Sequence, residues 1–461
     1  MSTSASTLSV GSRSMPVPAS TGFPWARPAR EPLLLLLVAL AALTPIYPVS
    51  SQDSSRLCLT RALVAGRVMI SPCAGLGIDR ALYRGQFYSD KAPGMAILAI
   101  PVAVAIDLPS PAHWRFLGDP RVWVIRVLTS GVAFILLAFA VGRIAEGLRS
   151  GAGGFAAVGM ALGTLVGSLA ATTFDQVTAA ALAFGAFAFA WRRRPWAAGV
   201  LGGVAVLVEY EAALAVGIVA VYVALVGGGH LRRFVGGLLP GIVVLGVYDW
   251  AAFSSPLHVS YRYVANGFAR AQASGFFGIS LPHWSAIWSV LVGGRGLILV
   301  SPILALALVG LVRIRAPHRR EGVVCAAVAL AYLLLEFGYF LPYGGVSPGP
   351  RFLIPAVPFL ALGLPWALTR FPRAAVRLGF WSVVASTVVR LTWAQVGVRG
   401  YGHAIRVDLA RTYRFQATLR DLLPGNVLTW LGVGAIASAI AVLGFAIAAF
   451  LVSLPETELD G

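Results

Sequence analysis

Charge is scarce in this sequence. Only 12% of its 461 residues are Asp, Glu, Lys or Arg, about half the share a soluble globular domain carries, so water is the wrong solvent for most of its surface. Lysine is almost missing: Lys91 stands alone against thirty-five arginines, a bias that, with abundant Ala and Gly, points to a GC-rich bacterial genome. Three cysteines are too few for a disulfide framework. Cys325 lies in an apolar run, where a thiol behaves as a small hydrophobe. Cys58 and Cys73 share one segment, in which a bond and two free thiols are both open. The histidines show no metal spacing, since His258 and His283 stand far apart with no His or Cys four residues on. No nucleotide fingerprint exists, because Gly202-Gly203 and Gly227-Gly228-Gly229 fall at or inside apolar runs without a strand. These absences exclude a soluble enzyme, a secreted disulfide scaffold and a nucleic-acid reader. Neither a metal nor a cofactor is expected.

What fills the chain is long apolar blocks such as Glu31–Tyr47, Val122–Val141 and Val427–Val452, each near the roughly 20 residues that cross a hydrocarbon core. Counted this way, the sequence predicts an all-α polytopic membrane protein of about 12–13 transmembrane helices. Residues 1–28, rich in Ser, Thr, Pro and Ala, read as a disordered cytoplasmic tail. Residues 29–453 form a single transmembrane domain and 454–461 a short C-terminal tail. The formal charge of +18 resides mostly in short Arg-bearing loops. Arg143 and Arg149, Arg192–Arg194, Arg232 and Arg233, Arg313–Arg320 and Arg370–Arg377 are placed inside by the positive-inside rule. Three substantial outer loops result, at 50–91, 254–295 and 398–425, although the first carries six Lys or Arg of its own. The apolar stretch Pro93–Leu108 disturbs the parity of crossings, and Pro101 within it reads as a re-entrant hairpin. Corresponding Gly- or Pro-broken helices in two halves, as inverted-repeat transporters show, are not evident.

Few residues are equipped for chemistry. Asp53, just beyond the first helix, sits at headgroup level, where partial desolvation raises a carboxyl toward a general base; as the alternative, Asp53 or Ser54 caps a surface helix. The segment Asp79-Arg-Ala-Leu-Tyr-Arg84-Gly-Gln-Phe-Tyr88-Ser-Asp90-Lys91-Ala-Pro-Gly94 opens the next apolar run. In a chain that otherwise uses Arg, one ammonium beside a carboxylate and a Pro-Gly turn fits either a phosphate contact or an interfacial ion pair with a snorkelling lysine. Glu209 and Glu211 interrupt two apolar blocks, as oxygen ligands for a divalent ion or simply as water-exposed loop residues. Arg351, outside without a topological need, suits a bidentate phosphate clamp. Glu336 and Asp249 are the carboxylates placed inside apolar runs.

An Asp just after the first membrane helix, a long outer loop, then Tyr88-Ser-Asp90-Lys91-Ala92-Pro93 opening the next apolar segment resemble the GT-C glycosyltransferase superfamily. The likeness is nearest to the aminoarabinose transferases and the protein O-mannosyltransferase-like bacterial enzymes. Ala92 stands where those enzymes usually carry a first Pro, and Gly94 where they carry an apolar residue. The resemblance implies a GT-C-like bundle with a long extracytoplasmic first loop, in the bacterial cytoplasmic membrane. It implies transfer of a sugar from a polyprenyl-phosphate carrier to a carbohydrate, lipid or protein acceptor outside, with inversion. Asp53 then resembles the catalytic acidic residue, Asp90 and Lys91 the acidic–Lys pair near the donor phosphate, and Asp175 a second outer acidic position; Asp175 has the alternative of an N-cap for Gln176–Trp191. The partners implied are the carrier lipid, the acceptor and the bilayer, with no nucleic acid. Competing functions are a transporter or flippase of a lipid-linked intermediate and a non-catalytic membrane partner in envelope assembly.

Overall fold

A computed structural model describes residues 30–47, 49–76, 78–108, 120–314, 317–345, 347–392 and 425–455. The expected tail 1–28, nearly all of the outer loop 398–425 and residues 456–461 lie outside the described residues.

The chain is mostly helical and its helices follow the apolar runs. Helix α1 spans Arg30–Leu43, and α2, Ser51–Val64, follows it directly. A hairpin of β1 (Ala81–Tyr83) and β2 (Gln86–Tyr88) leads into α3 (Gly94–Ala105). Then come α4 (Pro120–Leu148), α5 (Gly153–Ala161), α6 (Gln176–Trp191), α7 (Pro195–Val208), α8 (Ala212–Val226) and α9 (Gly228–Phe253). The second half holds α10 (Trp284–Val292), α11 (Ile303–Leu311), α12 (Arg319–Gly338), α13 (Pro372–Thr392) and α14 (Ala435–Ser453).

Among the described residues five helices, α4, α9, α12, α13 and α14, are long and apolar enough to cross a membrane; two bent pairs raise the number to seven. The chain is therefore multi-pass, and among the described residues the other apolar runs form helices that are shorter or bent. Breaks that hydropathy does not register divide two of these runs. Trp284–Val300 turns by 97° into Ile303–Leu311, and Arg351–Ala361 by 56° into Leu364–Arg370. Four further apolar helices, α3, α6, α7 and α8, have 12 to 16 residues, and at about 1.5 Å per residue they fall short of a ~30 Å core. The stretch read as a re-entrant hairpin is α3, with Pro101 inside it. Arg232 and Arg233 lie in the first turns of α9 rather than in a loop, and the expected outer loop 254–295 contains all of α10.

Two apolar cores organise the molecule. The larger joins α1, α4–α8 and α11–α14 through residues such as Phe134, Phe184, Phe187, Tyr332 and Phe359. The smaller packs α2, the hairpin and α3 against Tyr248 and Phe253 at the end of α9. Cys58 of α2 is bonded to Cys73 in the turn Ser71–Leu76, which fastens α2 to the segment that leads to the hairpin. Helix α6 runs from Asp175 at one end to Arg192–Arg194 at the other, and α7 returns to Glu209. Asp175 and Glu209 thus share the end of the bundle opposite these arginines. At that end α3 meets α7 backbone to backbone, since a Cβ on Gly94 would lie 2.6 Å from Leu207 O and Val208 Cα. This contact explains why position 94 is a glycine, and it brings the turn after Lys91 beside the end of α7 before Glu209.

Candidate functional site

Asp53 anchors the cluster. Ser50 caps α2, accepting the Asp53 N–H at 3.1 Å, while Asp53 accepts the Ser50 N–H at 3.0 Å and its hydroxyl at 2.8 Å, a reciprocal capping box. The capping alternative is corrected: the cap is Ser50, and Asp53 stands inside the helix as the third residue, closing the box from within, while Ser54 lies one residue further on. Asp53 Oδ1 meanwhile accepts the Thr173 N–H at 2.9 Å and the Thr173 hydroxyl, and Arg126 Nη2 lies 3.2 Å from Oδ2. A carboxylate offers about four lone-pair directions, so Asp53 has none to spare. Burial alone would raise this carboxyl, but the Arg126 guanidinium and the Thr173 and Ser50 hydrogen bonds outweigh it and hold it below the usual aspartate range. The expected upward shift is corrected: headgroup-level desolvation is present, yet a cation 73 positions away in the chain reverses its effect.

Thr173 carries the next residue outward. Gripped by Asp53, the segment Thr172–Asp175 presents Asp175 to Arg56, whose Nη2 donates to Asp175 Oδ2. Asp175 occupies the N-cap position of α6 but makes no capping bond, so that alternative falls. Burial raises its carboxyl; Arg56 and a hydrogen bond with Glu209 more than cancel this and hold it low. Glu209 is 2% exposed, which corrects the water-exposed loop reading, and accepts Gln176 Nε2 at 3.0 Å. Its carboxyl is pushed well above the usual range by burial and by Asp175 and Glu211. Glu211 is half-buried, with Tyr261 OH 3.3 Å from Oε1.

Lys91 closes the other side. Its ammonium lies 3.2 Å from Asp79 Oδ2 and 3.2 Å from Asp90 Oδ1. Burial opposes the charge on Lys91, but the two carboxylates prevail and raise it. One cation cannot fully serve both acids. Burial raises Asp90 and the neighbouring Asp79 adds to it, so Asp90 ends high, whereas Lys91 overcomes the burial of Asp79 and holds it low. Arg351, 5% exposed, donates from Nη1 to Gln52 Oε1 at 2.5 Å and lies 5.2 Å over the Phe174 ring. It packs over Gly344, whose φ of +68° and absent side chain make room for the guanidinium. Arg351 acts electrostatically on Asp79, Lys91 and Asp175.

Seven of the sequence-selected residues (Asp53, Asp79, Asp90, Lys91, Asp175, Glu209 and Arg351) converge, and Glu211 borders them. Two do not join. Arg84 sits at the hairpin tip with φ +48° and stacks on Tyr83, while the Tyr88 ring packs 5.3 Å from Phe253 in the smaller core. Sequence reading missed Arg56, Arg126 and Thr173. Arg56 follows Asp53 by three positions, hence on one helix face, and Arg126 lies inside the apolar run Val122–Val141, where a charge is costly without a partner. Among the described residues no three His, Cys, Asp or Glu side chains are grouped to hold a metal ion.

No protein-family model and no curated protein sequence matches the chain. Solved structures do. ArnT from Cupriavidus metallidurans in the apo state superposes with a TM-score of 0.51 and 17% identity, over 93% of this chain and 77% of that one. The same protein bound to undecaprenyl phosphate gives 0.51 and 14%, over 94% and 77%. The apo oligosaccharyltransferase of Archaeoglobus fulgidus gives 0.49 and 10%, over 86% of this chain and 59% of that one. In fold, this chain is similar to the GT-C membrane glycosyltransferases.

Proposed function

We propose that this protein transfers a sugar from a polyprenyl-phosphate carrier to a hydroxyl acceptor on the outer face of a bacterial cytoplasmic membrane. The observation that carries the reading is the meeting of Lys91, Arg56 and Arg351 with Asp53, Asp79, Asp90, Asp175 and Glu209 at one end of a GT-C-like bundle. The orientation rests on two supports. Arg192–Arg194 lie at the far ends of α6 and α7, which puts the cluster opposite a basic, inward-facing end, and the Cys58–Cys73 bond fits an oxidising compartment. A sugar used there must arrive on a lipid already flipped. ArnT, crystallised with undecaprenyl phosphate, fits that donor class.

Lys91 and Arg351 take the donor phosphate, whose charge grows as the anomeric C–O bond breaks. With an anionic leaving group the chemistry is a single displacement with inversion. Asp175 takes the acceptor proton, because among the described residues no backbone amide, guanidinium or hydroxyl donates to its buried Oδ1. Asp53, the residue first expected in that role, is saturated, and holds Thr173 and Arg126 so that Asp175 is presented. The acceptor is a carbohydrate, lipid or protein. To test the donor class, the protein is purified in nanodiscs and its bound lipid identified by mass spectrometry. A polyprenyl phosphate or its glycoside on the wild type, lost in Lys91→Ala, is expected; none in either removes the donor assignment.

A second reading, a carrier for lipid-linked intermediates, is favoured by Glu336 and Asp249, buried inside candidate spans with unpaired oxygens. It requires movement of the lipid without cleavage of its sugar.

A further inference from the structure

Each cation in the cluster is held by a carboxylate except one. Lys91 lies against Asp79 and Asp90, Arg56 against Asp175 and Arg126 against Asp53. Arg351, 5% exposed, has no carboxylate within ion-pairing reach among the described residues. Its Nη1 donates to the amide oxygen of Gln52 at 2.5 Å, and its buried Nε has no partner. The guanidinium lies 5.2 Å from the centre of the Phe174 ring and 4.9 Å from that of Phe352, and a ring attracts a cation without neutralising it. The charged and titratable groups that act on Arg351 at longer range are Asp79, Lys91 and Asp175, with Glu336 of α12 and Tyr339 just beyond it. Arg56 shares the Phe174 ring, at 5.9 Å.

Gln52 is placed to hold a guanidinium still. It is the second residue of α2, within the turn that the Ser50–Asp53 capping box closes, and its backbone oxygen accepts Arg56 Nη1 at 3.3 Å. One residue therefore touches both arginines. A glutamate of the same shape would accept the Arg351 bond more strongly, but it would also cancel the charge. The amide gives direction alone. A buried guanidinium without an anion is costly to keep, and an arriving anion relieves that cost.

We propose that Gln52 is a positioning residue of the donor-phosphate site, holding Arg351 through a neutral oxygen so that its direction is fixed while its charge remains for the carrier phosphate. The inference rests on the reading of Lys91 and Arg351 as the phosphate contacts.

Undecaprenyl phosphate serves as the probe, titrated onto the full chain in detergent with the bound lipid counted by mass spectrometry. Gln52→Glu should weaken binding roughly tenfold or more without lowering Tm, because the introduced carboxylate adds an ion pair while it takes the cation from the phosphate. The ratio of wild-type to variant affinity should shrink as pH falls toward the ordinary carboxyl range of about 4, since the protonated acid again offers Arg351 a neutral oxygen. In an Arg351→Met background, Gln52→Glu should weaken binding by less than it does in the wild type, as both changes act through one contact. Gln52→Leu, which has no acceptor, should also bind less, at every pH alike. Wild-type binding by Gln52→Glu or by Gln52→Leu, a Gln52→Glu ratio that pH does not move, or an equal loss with Arg351 absent overturns the role of Gln52 and leaves the donor reading standing. No binding of undecaprenyl phosphate by the wild type removes the donor reading and the positioning role with it.

Discussion

Asp53→Asn replaces one oxygen of a carboxylate by an amide NH2, and the surroundings leave that group nowhere to point. Turned toward Ser50 it meets the Ser50 N–H and Arg126, both donors; turned the other way it meets the Thr173 N–H. Arg126, wholly buried, keeps its bond to Tyr47 O at 2.6 Å but loses the Asp53 carboxylate. Breaking a buried ion pair from one side costs about 3–5 kcal/mol. With an unfolding entropy of ~2 cal/mol/K per residue, a chain of 461 residues shifts by about 1 °C per kcal/mol. The expected fall in Tm is therefore about 3–5 °C, measured by tryptophan fluorescence in detergent. Arg126→Met combined with Asp53→Asn should lose less than the two single losses added, because each single change already breaks the same Arg126–Asp53 contact. If Asp53→Asn melts with the wild type and has no turnover, the anchoring role is refuted and Asp53 returns as a participant in the chemistry.

Acid should act through the same groups. Asp53, Asp79 and Asp175 are held below their ordinary value of 3.8 in the folded state, so their stabilisation is complete above that pH and is lost as pH falls through the lowered folded values. A pH series of melting curves should show this acid loss reduced in Asp53→Asn; an unchanged acid limb contradicts the assignment. Gly94→Ala puts a Cβ against the backbone of Leu207 and Val208 and should destabilise by about 1–3 kcal/mol, visible as a lowered Tm; a neutral result means α3 and α7 do not touch as described. Cys58→Ser opens a loop closed over 15 residues and should cost about 3 kcal/mol, with greater proteolysis of the 65–80 segment. Equal protease resistance in both proteins argues against the bond.

Much of this arrangement was legible in the sequence because membrane chemistry is sparing with charge. In a chain with one lysine, Lys91 and its acidic neighbours stood out, and the structure gathers Asp53, Asp175 and Arg351 around them. What remained hidden depends on distance along the chain. Arg126 and Thr173 reverse the titration of Asp53 from 73 and 120 positions away, and nothing local announces them. Glu209 read as solvent-exposed because two acids on a short turn ordinarily are; only the packing of α7 against α3 and α6 closes water out. The breaks within apolar runs stayed hidden for a related reason. Hydropathy registers apolar length, whereas the 97° and 56° bends are set by how the segments pack. Arg84 misled by proximity to Lys91 in sequence, although the hairpin turns it outward.

The central claim is that the carrier's bond to its sugar is cleaved at this site. The direct measurement is the release of free polyprenyl phosphate, followed by mass spectrometry, when the purified wild type in nanodiscs meets its carrier-lipid glycoside and an extract of envelope acceptors. The account predicts acceptor-dependent release by the wild type and none by Asp175→Asn that is shown to be folded. Glycoside recovered intact from the wild type, with the lipid moved across a bilayer in reconstituted vesicles, contradicts transfer and establishes the carrier reading in its place.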